Sequence, residues 1–160
     1  MKTHEYRSEL LLQSPLGVVF PFFSDASNLE ALTPPWMRFR IVTPRPIAMH
    51  AGALIDYRLR VRGIPLRWRS EITAWDPPFR FADEQRRGPY RFWKHEHHFE
   101  ECEGGTRALD IVHYAVPFDF FSHRLLVKPD IERIFAFRTK ELLERFGGKL
   151  QHAEFDPPPE

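Results

Sequence analysis

Between Ala53 and Val116, apolar and polar residues alternate through five short segments separated by turn signals. That period of two belongs to pleated strands and not to helices. The turns are tight: Arg62-Gly63-Ile64-Pro65, Asp76-Pro77-Pro78-Phe79, Gly88-Pro89-Tyr90 and Glu103-Gly104-Gly105-Thr106. Tight turns decide which residues share a face, because a slip by one residue sends every later side chain to the other side. Two-residue loops at Gly63-Ile64, Pro77-Pro78 and Gly104-Gly105, with Gly88-Pro89-Tyr90 as a longer one, predict Leu59 opposite Trp68, Ile72 opposite Asp83, Asp83 opposite His95 and Phe99 opposite Asp110. One face then carries Ile55, Tyr57, Leu59, Trp68, Ser70, Ile72, Ala74, Phe81, Asp83, Gln85, Trp93, His95, His97, Phe99, Asp110, Val112 and Tyr114. The other carries Asp56, Arg58, Arg60, Arg67, Arg69, Glu71, Glu84, Arg86, Lys94 and Glu96, adjacent stripes of opposite charge that read as a mutually compensated, solvated surface.

An antiparallel sheet with one apolar face needs a cover. The long helix expected over Pro129–Phe146 is the natural candidate. Proline suits its first turn, Asp130 and Glu132 favour its positive end, and Gly147-Gly148 stop it. Ile131, Ile134, Phe135, Arg138, Leu142 and Phe146 form its apolar stripe, with Arg138 the one charge. Upstream, His4–Leu12 reads as a strand. Ser14-Pro15 reads as the cap and first turn of a helix through Phe23, and Ser24–Leu32 as a second short helix capped by Ser24 or Asp25. Arg38–Thr43 reads as a short strand. The chain of 160 residues is thus expected to form one α+β domain over residues 1–150, followed by a proline-rich, mobile tail over 151–160. A formal net charge of +1 gives no global pull toward nucleic acid, so no nucleic-acid partner is expected. The single cysteine, Cys102, excludes an internal disulfide and suits a reducing compartment. No apolar run approaches the ~20 residues of a membrane helix. The first residues lack the apolar core of a signal peptide, so a cytoplasmic location is the expectation.

At this point the chain resembles a known family, the helix-grip domains of the START and Bet v 1-like superfamily, also called SRPBCC or polyketide cyclase/dehydrase-like. The resemblance spans about His4–Phe146. It is carried by Leu32-Thr33-Pro34-Pro35-Trp36, Ile55-Asp56-Tyr57, Trp68 through Pro78, Phe81-Ala82-Asp83-Glu84-Gln85, Arg87 through Arg91, Trp93-Lys94-His95-Glu96-His97 and Ile134-Phe135-Ala136-Phe137-Arg138. It implies a curved antiparallel sheet wrapped around the C-terminal helix, with a cavity between them for a small hydrophobic ligand such as a lipid, polyketide or quinone-like molecule. It implies no cofactor and no metal, and it places Trp36 in a loop region that gates such cavities. The chain is also compatible with a homodimer.

The residues that could carry chemistry are His95, His97, Asp83, Asp110 and Tyr114. Same-face neighbours on one strand lie roughly 6.5–7 Å apart, so His95 and His97 can flank one small group. An aspartate across the strand would orient either imidazole as an acid or base. The same residues also suit non-covalent ligand contact or a structural hydrogen-bond network. Tyr57, Trp68, Phe81, Trp93 and Phe99 offer flat apolar area with a few polar tips, and Ser70 and Gln85 add polar contacts. His-x-His with an aspartate can hold zinc or iron, but no third ligand from another element stands out. Ser70 lacks a nucleophile elbow and Cys102 a nearby base. Arg138 on an inner stripe demands a carboxylate, with Asp83 or Asp110 as the candidates. The leading reading is a ligand-binding protein. Its rivals are a cyclase/dehydrase-type enzyme with His95, His97 and Asp110 as the acid–base set, and a protein-interaction module.

Overall fold

The first and last strands of the chain lie side by side. In the computed structural model, which describes residues 1–158, β1 (His4–Leu12) sits between β7 (Gly105–Ala115) and β8 (Gly148–Phe155). The sheet has eight strands in the order β2-β3-β4-β5-β6-β7-β1-β8, with β2 at Arg40–Ile41, β3 at Leu54–Val61, β4 at Ile64–Asp76, β5 at Arg80–Arg87 and β6 at Phe92–Cys102. Every pairing is antiparallel. Helix α1 (Leu16–Phe23), a 3₁₀ turn (Ala26–Asn28) and α2 (Leu29–Leu32) follow β1, and α4 (Lys128–Phe146) crosses the inner face. This is the helix-grip fold.

Sequence pattern and burial agree on the faces. Ile55, Leu59, Trp68, Ser70, Ile72, Phe81, His95, His97, Phe99, Asp110, Val112 and Tyr114 are all buried. One end of the space between sheet and helix is filled solid by Leu10, Leu12, Leu16, Val19, Phe20, Phe23, Phe81, Phe99, Leu142 and Phe146. Phe20 meets Phe81 and Phe99 edge-on at 6.0 and 5.4 Å. On α4, Ile131 and Leu142 are fully buried, each contributing roughly 1.5–3 kcal/mol by its removal from water.

Register departs from expectation in an instructive way. The first hairpin turns at Arg62-Gly63, both at positive φ (50° and 79°), and pairs Tyr57 with Trp68 and Leu59 with Leu66. The last turns one residue early and pairs His97 with Asp110 and Phe99 with Ala108. Each differs from expectation by two residues, one full pleat, so every face is preserved while the cross-strand partners change. Around Pro77-Pro78-Phe79 the loop is one residue longer than expected, and an irregularity between Ile72 and Ala74 restores Ile72 opposite Asp83 and Ser70 opposite Gln85. Asp83 lies opposite His95 and Phe81 opposite His97, as the pattern predicts.

Three further expectations are corrected. Ser14 does not cap α1, since its hydroxyl donates to the Phe146 carbonyl at the end of α4 (3.1 Å), and Pro15 precedes the helix without a side-chain cap. The helical segment begins before Pro129, with α3 (Asp119–Ser122) and a π-helical turn (His123–Val127) running into α4. The folded part does not end at 150, because β8 pairs with β1 through Phe155, and the Asp156 N–H donates to the Glu5 carbonyl at 2.7 Å. Of the expected tail, Pro159 and Glu160 lie outside the described residues.

Gly105 is tied to the position of the last hairpin. Its φ is 155°, and a Cβ there would stand 1.9 Å from the Leu12 carbonyl oxygen of β1. Backbone cannot yield as a flexible side chain can, so Gly105→Ala is expected to lower stability by about 2 kcal/mol or more. Gly17 in α1 has nothing within 4 Å of its would-be Cβ, and Gly17→Ala should be neutral or stabilising by about 0.5–1 kcal/mol. Urea unfolding of the two variants checks the contrast.

Candidate functional site

Where the phenylalanine packing ends, sheet and helix diverge around a cavity of about 560 Å³. Strand β3 contributes Tyr57 and Leu59, β4 Trp68 and Ser70, β5 Phe81 and Asp83, and β6 Trp93, His95 and His97. Helix α4 contributes Ile131, Ile134, Phe135 and Arg138, and the loop after α2 contributes Trp36, Met37 and Phe39. The walls are largely aromatic and aliphatic, with charged side chains such as Arg62 and Arg133 at the exposed rim and one buried polar cluster inside.

That cluster is organised by Asp110, which is 4% exposed. His95 Nε2 lies 2.7 Å from Asp110 Oδ1. His97 Nδ1 approaches the same oxygen to 3.1 Å but out of line for a hydrogen bond. Arg138 Nη2 stands 3.5 Å from it. On the cavity side, His97 Nε2 meets Asp83 Oδ2 at 3.3 Å. The His97 ring is sandwiched between Phe81 (4.1 Å between centroids) and His95 (3.8 Å).

Burial alone would push the Asp110 carboxyl up. The Arg138 charge and the close approach of the two histidines reverse that and hold it well below the ordinary carboxylate range. The histidines are driven apart. Burial, then the neighbouring His97 charge, lowers His95 despite its bond to Asp110. His97 is buried too, but its two carboxylate neighbours outweigh burial and raise it.

Arg138 is the least satisfied group in this cluster. It is 7% exposed, its Nε has no hydrogen-bond partner, and its approach to Asp110 is a long one. The guanidinium also faces the Phe23 ring at 5.3 Å.

Ten of the residues singled out from the sequence line the cavity: Trp36, Tyr57, Trp68, Ser70, Phe81, Asp83, Trp93, His95, His97 and Arg138. Four do not. Asp110 lies behind the histidines, and Phe99 is packed into the filled end. Gln85 braces a loop, its amide donating to the Tyr90 carbonyl at 2.8 Å and accepting from the Tyr90 N–H at 3.2 Å. The Tyr114 hydroxyl is paired with His123 Nε2 at 2.7 Å. Ser70 is no free nucleophile, because its hydroxyl is bonded to Tyr57 and accepts from Trp68 Nε1 at 3.0 Å. Trp36 is exposed and meets Phe137 of α4 edge-on at 6.2 Å.

Sequence reasoning missed Met37, Phe39 and Tyr90, which enter the cavity from irregular loops where no period assigns a face. It also missed a cluster in which the buried His4 contacts the half-buried Asp119 and the exposed Asp156 and stacks on His123 at 3.4 Å. These four residues are spread over the whole chain, and no local pattern connects them.

The structure does bring a third potential metal ligand from another strand, since Asp83, His95 and His97 offer ligand atoms within 4.8 Å of one another. The two imidazoles are stacked with planes 29° apart. Their in-plane lone pairs do not converge on one point until a ring turns, so the arrangement favours hydrogen bonding over coordination.

Fold and site together define a helix-grip domain with an apolar cavity and a buried ionisable floor. The chain belongs to the family described as polyketide cyclase/dehydrase and lipid transport, whose model matches residues 12–139. No curated protein matches the sequence. Among solved structures it is similar to the protein TTHA0849 from Thermus thermophilus, with 18% identity over 88% of this chain and 92% of that one and a TM-score of 0.64. CV1439 from Chromobacterium violaceum gives 14% identity, 91% and 99% coverage and a TM-score of 0.69. A major latex-like protein from Panax ginseng gives 11%, 90% and 97% coverage and 0.66. At these identities the likeness establishes the fold.

The opposite shifts of the two histidines make a measurable statement. In a proton NMR titration, His97 should titrate above 6.5 and His95 below it. A raised folded pKa stabilises the fold fully below the unfolded value, and that contribution is lost as pH rises through the folded one. His97→Gln should therefore cost more stability at pH 6 than at pH 8. Equal cost at both would mean that His97 is uncharged in the fold.

Proposed function

We propose that the protein binds a small, largely apolar molecule in this cavity, with an oxygen acceptor of the ligand directed at Arg138. The carrying observation is a nine-tenths buried guanidinium that lines an apolar cavity and has no good protein acceptor. A ligand that displaced water from it without supplying an acceptor would leave a desolvated cation behind, a severe penalty. Charge balance selects a neutral acceptor. Asp110 already faces Arg138, and Asp83 is nearby in the cavity wall. A carbonyl or hydroxyl oxygen adds no third negative charge, whereas a carboxylate does.

Displacement of a neutral apolar fluorophore tests this with an isosteric pair, fluorenone against fluorene. The ketone should bind about tenfold tighter, the scale of a hydrogen bond to a charged group. The advantage should vanish in Arg138→Met combined with Asp110→Asn, a pair chosen so that neither charge is left buried alone. Equal affinity for the two ligands, or an advantage that survives the double substitution, would sink the assignment of Arg138.

A second reading is favoured by the divided histidines. Neighbouring groups pushed in opposite directions are what acid–base catalysis uses. With Asp110 orienting His95 at 2.7 Å, the pair could protonate and deprotonate a carbonyl compound held at Arg138. On this reading His95→Gln and His97→Gln abolish turnover of a bound carbonyl compound and leave its affinity within about threefold. A parallel loss of affinity and turnover would return the histidines to a binding role.

A further inference from the structure

The outer face of the sheet is not compensated throughout, contrary to the reading of its stripes. Arg69 pairs with Asp56 at 2.8 Å and Arg86 with Glu71 at 2.7 Å. One strand pair further along, Arg40 lies directly opposite Arg58, and Arg58 directly opposite Arg67. All three are exposed, and none reaches a carboxylate among the described residues. Like charges in direct register repel, so this row is a standing cost to the isolated fold.

The row crosses β2, β3 and β4 four residues short of the Arg62-Gly63 turn at the tip of the β3–β4 hairpin, beside which Ile64 is exposed. That tip touches the segment joining β7 to α4, because Arg62 bonds the Leu126 carbonyl at 3.3 Å and Asp130 at 3.0 Å. The joining segment is the most apolar exposed stretch of the molecule: Phe118 is 83% exposed, Phe120 86%, Phe121 67% and Leu125 66%. Charge at this end is again unbalanced toward positive. Asp119 and Asp130 are engaged by Lys2 and Arg62, while Arg124, Lys128 and Arg133 have no carboxylate partner among the described residues and outnumber the exposed Glu132 beside them. The cavity reaches the surface here, since Val127 and Arg133 of this end and Arg62 of the hairpin lie in its wall, the two arginines being exposed.

We propose that this end of the molecule docks on an anionic lipid bilayer. The phenylalanines and leucines of residues 118–126, with Ile64, would enter the interface, and the registered arginines would meet the headgroups. A bilayer surface is the partner that rewards both halves of the pattern, burying protruding apolar side chains and neutralising unpaired cations. A nucleic acid would satisfy the arginines and leave Ile64 and Leu125 in water. Docking in this orientation turns the open end of the cavity toward the membrane, which connects it with the proposed apolar ligand. The docking itself depends only on the surface.

Flotation with vesicles of phosphatidylcholine alone, and of phosphatidylcholine with phosphatidylglycerol, tests the proposal. The protein should float with the anionic vesicles about tenfold more strongly or better, and high salt should weaken the preference. Phe120→Ser with Phe121→Ser should lower binding to both vesicle types. Arg58→Glu with Arg67→Glu should lower the anionic preference severalfold, with Arg124, Lys128 and Arg133 carrying the remainder. All four side chains are exposed, so neither variant should lower the thermal midpoint. Three results would overturn the proposal: no flotation with either vesicle; capture of single-stranded RNA with no vesicle binding; or a dimer in light scattering that the phenylalanine substitutions convert to monomer, which would assign the patch to a second copy of the chain. Displacement of the cavity fluorophore, measured without vesicles, keeps a failed docking distinct from a failed ligand-binding reading.

Discussion

The carboxylate of Asp110 is the point on which the interior depends. It stands on β7, accepts from His95 on β6, approaches His97 on the same strand, and faces Arg138 on α4. Three elements are therefore tied to one buried anion. Removing either partner of such a pair leaves an uncompensated charge, a loss of about 3–5 kcal/mol, whereas the intact pair adds little net stability. Its consequence is geometric. It sets where α4 sits relative to β6 and β7, and it fixes His95 by a hydrogen bond of 2.7 Å.

The cavity follows from how unevenly the two ends of the groove are filled. From α1, Phe20 and Phe23 reach between sheet and helix and close one end with Phe81, Phe99 and Phe146. Toward the hairpin tips no helix supplies such wedges. Met37, Phe39, Tyr90 and Ile134 line the space without filling it. The ionisable cluster sits at the boundary, with Phe23 and Phe81 in contact with Arg138 and His97 on one side and open volume on the other. A charge there is dry on its protein side and available on its cavity side, the condition for selective contact with a ligand.

Much of this is legible in the alternation of residues 53–116, and the reason is the pleat. Side chains change face every residue, so the two hairpin errors, each of two residues, leave Trp68, His95, His97 and Asp110 on the predicted face. The same errors hide the chemistry. With the turn placed one residue late, Asp110 falls opposite Phe99; in its true register it falls opposite His97, and only then does the triad with His95 and Arg138 exist. Parity survives a two-residue shift and pairing does not. The loops that complete the cavity carry no period at all, and β8 reads as tail because its side chains are mostly exposed and give no apolar signal. What recruits β8 is backbone pairing with β1, a sheet edge that sequence does not advertise.

The outer arginines show the same limit from the other side. The sequence sets Arg58, Arg67, Arg69 and Arg86 beside Asp56, Glu71 and Glu84, and adjacent stripes of opposite sign read as largely compensated. Register decides which charges meet. Arg69 meets Asp56 and Arg86 meets Glu71, which leaves Arg40, Arg58 and Arg67 to face one another. A row of three like charges costs stability in water and gains only from an external anion. The exposed phenylalanines beside the cavity carry a parallel cost, relieved only by an external apolar phase. Two independent penalties, both relieved by the same kind of surface, are the physical reason to look for function on the exterior as well as in the cavity.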